Sequence, residues 1–152
     1  MSAKSKTLVE EPLIGALLRF SWEALRRRVL RDLAAAGFPD IGQAHLAVLQ
    51  YPAPRGVRVT DLAAKARMSR QAVNYLVREL EAKGYLERRP DPSDGRGRLV
   101  HLTRRGEAAT RSIRAAVKRQ EREWQEQVGQ RRLAELRCTL RELSTATGFE
   151  DA

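Results

Sequence analysis

Residues 69–103 read SRQAVNYLVRELEAKGYLERRPDPSDGRGRLVHLT, and the fold turns on this stretch. Ser69 carries a helix N-cap side chain, so a helix is expected from Arg70 to about Lys83, with Gly84 ending it. Val73, Leu76, Val77 and Leu80 fall at i, i+3, i+4 and i+7 and make one apolar face. Gln71, Asn74, Tyr75 and Arg78 fall on the opposite face. Tyr85 to Arg89 then reads as a strand that stops at Pro90. Asp91 to Gly97 is dense in turn-forming residues, and Arg98 to Leu102 alternates polar with apolar as a returning strand does.

Upstream, Val57 to Val59 is a short β-prone piece. Thr60 is the expected N-cap of a short helix over Asp61 to Arg67, and Met68-Ser69 makes the turn into the next one. Helix, tight turn, helix and β-hairpin in this order is a winged helix-turn-helix pattern.

Longer helices flank it. From Leu13 to Ala36, apolar residues Ile14, Leu17, Leu18, Leu25, Val29 and Leu33 recur at helical spacings. Gly37 and Pro39 end that helix. Asp40 is the expected N-cap of a second helix reaching Gln50, with Gln43 completing a capping box. The two prolines and the glycine of residues 51–56 form a loop. Downstream, Thr103 caps a long helix to about Gln127, and Gly129 breaks it. Leu133, Leu136, Leu140 and Leu143 then line one face of a last helix over Gln130 to Thr145.

The fold class is therefore mainly α with a small β-hairpin. Its expected organisation is a disordered tail (1–11), a dimerisation helix (12–39), a winged helix-turn-helix lobe (40–103) and C-terminal dimerisation helices (104–147). The first helix, of about 24 residues, would be roughly 36 Å long. A small winged-helix core cannot cover it together with two C-terminal helices, and a second copy of the chain is the simplest partner for their stripes.

Charge points the same way. The chain of 152 residues has a net charge of +10. Residues 55–105 hold 13 basic and 6 acidic side chains, so one third of the chain carries most of the excess. A solubility device would be spread evenly, whereas a local excess reads as a footprint for a polyanion. The polar face of the 70–83 helix supplies amide, phenol and guanidinium groups and no carboxylate, which suits base edges and phosphates in a major groove. Gly95-Arg96-Gly97-Arg98 is expected at the hairpin tip, where Arg96 and Arg98 suit a narrow minor groove. The candidate DNA-binding residues are Arg58, Ser69, Arg70, Gln71, Asn74, Tyr75, Arg78, Asp94, Arg96 and Arg98.

Other classes lack their signatures. One cysteine, Cys138, excludes an intramolecular disulfide framework and any multi-cysteine metal site. No apolar run approaches the ~18 residues of a membrane span, and no basic amphipathic helix serves a membrane surface. Glu10 and Glu11 interrupt any signal-peptide apolar region, so a cytoplasmic location is expected. No paired acid and base, metal-ligand spacing or phosphate-cradling glycine loop marks an enzyme, and no cofactor or metal is expected.

On these residues the chain resembles the MarR family of transcriptional regulators. The resemblance rests on Thr60-Asp61-Leu62-Ala63, Ser69-Arg70-Gln71-Ala72-Val73 and Leu80-Glu81-Ala82-Lys83-Gly84-Tyr85-Leu86. It rests further on Arg88-Arg89-Pro90-Asp91-Pro92-Ser93-Asp94-Gly95-Arg96 and Val100-His101-Leu102-Thr103. It implies a dimeric winged-helix protein on pseudo-palindromic duplex DNA, released by a small ligand. It also implies that Arg96 enters the minor groove and that Asp94 braces it. The expected function is that of a ligand-responsive, homodimeric repressor. The alternative is a winged-helix module that binds an acidic protein.

Among single residues, Cys138 beside Leu136 and Leu140 reads as a structural thiol. His45 reads as a packing or hydrogen-bonding residue, and His101 as facing the outer side of its strand. Phe20 and Trp22 either line a pocket for a small-molecule effector or fill the core or the dimer interface.

Overall fold

The computed structural model describes residues 11–51 and 55–147, apart from the Arg96 side chain. The expected tail over 1–11 lies almost wholly outside the described residues, as does the centre of the 51–56 loop. The elements run α1 (Ile14–Ala35), α2 (Gln43–Leu49), α3 (Val59–Ala66), α4 (Arg70–Ala82), β1 (Leu86–Asp91), β2 (Asp94–Leu102), α5 (Arg104–Val128) and α6 (Gln130–Ala146).

The winged-helix lobe forms around the apolar face of α4. Val73, Leu76, Val77 and Leu80 are all buried, and Leu33, Val48, Leu49 and Leu62 join them in the core. Ser69 caps α4 by accepting the Ala72 N–H at 3.1 Å. At the other end Gly84 has φ +76°, so the chain reverses with the Tyr85 N–H on the Leu80 carbonyl at 2.8 Å. That turn drives the fully buried Tyr85 back under the lobe. The first turn of α5 then lies against the Tyr85 backbone. A Cβ at Gly106 would sit 2.0 Å from the Tyr85 carbonyl oxygen, so only glycine fits there.

Three local expectations are corrected. Asp40 does not cap α2. Its carboxylate accepts the Tyr85 hydroxyl at 2.5 Å and faces Arg105 at 3.3 Å. The α2 N-cap is Gly42, whose N–H donates to His45 Nδ1 at 2.9 Å. Thr60 does not cap α3 either, because the helix starts one residue before it with Arg58 at the N-cap. Of the Val57–Val59 piece, only Val57 pairs with the sheet, through a bridge to Val100.

The hairpin is longer than its sequence suggests. Pro90 and Asp91 continue β1, and β2 begins at Asp94, so the tip is Pro92-Ser93. Pro90 sits opposite Arg98 and Asp91 opposite Asp94. Gly95, Arg96 and Gly97 are therefore extra residues of β2, a bulge in the strand and not the tip.

α1 and α5 pack together with an ionic seam. Arg28 donates to Glu123 at 2.7 and 2.9 Å, and Arg119 donates to Asp32 at 2.7 Å. Beyond this seam lies uncovered apolar surface. Leu13, Ile14, Leu17, Leu18, Phe20 and Trp22 of the N-terminal region are exposed, as are Leu136, Leu140 and Leu143 of α6. Cys138 is also exposed.

Candidate nucleic-acid interface

α4 presents Gln71, Tyr75 and Arg78 to solvent, and Tyr75 is 61% exposed. Asn74 is only half-buried, because it turns toward the hairpin. Between the start of α3, the polar side of α4 and the hairpin lies a cleft of about 530 Å³. Arg58, Arg70, Arg88 and Arg98 line it together with Thr60, Gln71 and Asn74. No carboxylate is among the lining residues, but Arg58 and Arg88 are ion-paired with Asp91 and Glu81 behind the wall, so the positive potential of the cleft rests mainly on Arg70 and Arg98.

Of the sequence candidates, Arg58, Arg70, Gln71, Asn74 and Arg98 meet at this cleft, while Tyr75 and Arg78 continue the exposed face of α4. Ser69 is occupied in capping. Arg58 has a more specific role than a loose phosphate contact. Its guanidinium donates to Asp91 Oδ2 at 2.6 and 3.1 Å and lies 3.5 Å from Asp94. Asp91 is buried. The Ser93 hydroxyl and backbone N–H, with Arg58 behind them, hold its carboxyl down at about 2. Arg58, Asp91 and Ser93 thus tie the start of α3 to the tip of the hairpin. Asp94, expected to brace Arg96, takes part in this tie. The Arg96 side chain lies outside the described residues, but its backbone is the middle of the β2 bulge.

Two residues outside the sequence candidates, Arg88 and Glu81, complete the site. Arg88 of β1 donates to Asn74 Oδ1 at 2.8 Å and to both oxygens of Glu81 at 3.2 Å. The signal available was the alternation of β1, which puts Arg88 on the same side as Leu86 and so toward α4.

The remaining candidates lie elsewhere. His45 is buried, and its Nε2 is 3.3 Å from Glu79 Oε2, so it joins α2 to α4. His101 packs on Gly56, where a Cβ would come within 2.4 Å of its ring. Phe20 and Trp22 are half-exposed on α1. A second cavity of about 330 Å³ between the end of α2 and α5 is lined by Leu49, Ile113, Val117, Arg114 and Lys118, among others, and by neither aromatic. Among the described residues no helix is long and apolar enough to cross a membrane.

Residues 40–97 match the sequence profile of the MarR family. No curated protein matches the chain by sequence. Among solved structures, the chain is similar to CouR of Rhodococcus jostii RHA1 bound to p-coumaroyl-CoA. The identity is 26%, the match covers 86% of this chain and 91% of that one, and the TM-score is 0.69. It is also similar to a Mycobacterium tuberculosis MarR-family protein in complex with salicylic acid, at 26% identity, 90% and 99% coverage and a TM-score of 0.63. The MepR–DNA complex of S. aureus shares the fold at a TM-score of 0.72, with 19% identity and 90% and 99% coverage.

Proposed function

We propose that this chain is a MarR-family transcriptional regulator, a ligand-responsive repressor acting as a homodimer on duplex DNA; the profile match over residues 40–97 and the fold shared with solved members of that family support this reading. The observation that carries this reading is the cleft between α4 and the hairpin. Four arginines and two amide side chains line it without a carboxylate. Amides and guanidinium groups on one helix face match base edges, and the surrounding cations match phosphates. In the docked complex α4 enters the major groove, with Arg70, Gln71, Asn74, Tyr75 and Arg78 along it. The hairpin, carrying Arg96 and Arg98, follows the backbone into the adjacent minor groove.

The dimer reading is supported by the exposed apolar residues of α1 and α6, which form too much uncovered surface for a lone chain. On this reading the chain divides into the winged-helix lobe at 40–103 and dimerising helices on either side. The ligand reading is supported by the cavity beside α2 and α5, with an apolar floor and, at its edge, two cations, Arg114 and Lys118, against one carboxylate, Glu121. Those features suit an amphipathic anion, the chemistry of the salicylic acid and acyl-CoA bound by two structural neighbours. Phe20 and Trp22 fall to the dimer contact and not to the effector.

Fluorescence anisotropy against duplexes from the chain's own genomic neighbourhood, at about 150 mM salt, tests the function. The expected result is tight retention of one duplex, weakened by a small amphipathic acid. Equal, weak binding of every duplex would reject it and favour an acidic protein partner.

A further inference from the structure

Asn74 is the one amide on the α4 face whose orientation is fixed before any DNA arrives. A guanidinium only donates hydrogen bonds, so the atom of Asn74 that meets Arg88 at 2.8 Å must be the carbonyl oxygen Oδ1. Arg88 cannot swing away freely, because its Nε is also held by both oxygens of Glu81 at 3.2 Å. Glu81 lies two turns further along α4, so the helix supplies both the reading residue and the anchor of its clamp. All three side chains are partly buried, which shields the ion pair from solvent competition.

The consequence lies in what Asn74 has left to offer. Asn74 lines the cleft. Arg88 takes one lone pair of Oδ1 and fixes the amide plane, so a base donor would have to share that oxygen with the guanidinium, and the unshared group is the Nδ2 amide, a donor. A free asparagine reads adenine by accepting from N6 while donating to N7. A clamped one suits an edge made of acceptors. Guanine presents that edge, with N7 and O6 side by side.

We propose that Arg88, anchored by Glu81, is a positioning residue that sets the base specificity of this protein by holding Asn74 as a donor that selects guanine over adenine. The proposal rests on the reading of the α4 face as the DNA-contacting surface. Arg88 acts through Asn74, and its charge toward phosphates is a separate and sequence-independent contribution.

Selection from a randomised duplex library, followed by titration of single-base variants of the selected site, tests it. Asn74→Ala first locates the base concerned, as the position where preference disappears. At that position the wild type is expected to prefer guanine over adenine by about tenfold. Glu81→Ala is the decisive variant, because it removes both oxygens that hold Arg88 Nε while making the protein more positive. Overall affinity should hold or rise, yet the guanine preference should fall to about twofold or less. Arg88→Lys should relax the same position while keeping the charge.

A second readout needs no DNA. The Asn74 side-chain NH2 resonances should be dispersed and rigid by NMR in the wild type, and averaged in Glu81→Ala and Arg88→Lys. Undiminished guanine preference in both variants would overturn the proposal while leaving the DNA-binding reading intact. So would mobile Asn74 amide resonances in the wild type. A wild type with no duplex preference at all would overturn both.

Discussion

Asp91 shows how much a single side chain organises at the interface. It is buried, yet it stays ionised because Ser93 and Arg58 supply donors on both of its oxygens. Its folded-state value of about 2 lies below the ordinary 3.8. The native state therefore releases this proton more readily than the unfolded chain does. The stabilisation is complete above about pH 4 and is lost as pH falls through the range from about 4 to 2. Urea titrations at several pH values should show the wild type more stable than Asp91→Asn by a constant margin above pH 4. That margin should shrink toward pH 2. Gly106 is a second residue with a sharp expectation. Gly106→Ala places a methyl group 2.0 Å from the Tyr85 carbonyl, so the α5 start must shift. A destabilisation of about 1–3 kcal/mol is expected by chemical denaturation. The sequence named Arg58 and Asp94 as interface residues but not their pairing with each other and Asp91. That pairing depends on the hairpin tip reaching Arg58 at the start of α3, which no local spacing encodes.

At the scale of elements, α4 was the most legible, because its cap, its apolar face and its terminating glycine all agree. Ser69→Ala removes the acceptor of the Ala72 N–H and should cost about 1 kcal/mol of stability. Circular dichroism with urea would measure it. Ser69→Asp should retain the stability, since a carboxylate also caps. The hairpin was less legible. Its turn formers spread over seven residues, and composition alone does not say which two make the tip. The deciding contacts are the Asp91–Ser93 bonds, which close the turn at Pro92-Ser93 and push Gly95 to Gly97 into a bulge. The start of α2 departs from its sequence signal for a similar reason. Asp40 has the side chain of a cap, but the buried Tyr85 hydroxyl and Arg105 compete for its carboxylate and win.

At the scale of the molecule, the sequence already carried the division between a basic lobe and flanking helices that stay nearly balanced in charge. It also carried the apolar stripes that the single chain leaves uncovered. What it left open was which of those residues a second copy would cover. The exposed leucines of α6 and the exposed N-terminal half of α1 now supply a specific set. The wild-type chain, of 17.2 kDa, should sediment at about twice that mass. Leu136→Glu with Leu140→Glu should yield a monomer of unchanged helical content. Two α4 helices related by a two-fold axis would then meet half-sites about one DNA turn apart. Selection of duplexes from a fully randomised library by the wild-type protein tests this most directly. The expected result is a single pseudo-palindrome, its half-sites separated by about ten base pairs, that loses affinity steeply as salt rises. Enrichment of no sequence, or of an isolated half-site without its mirror, would contradict it.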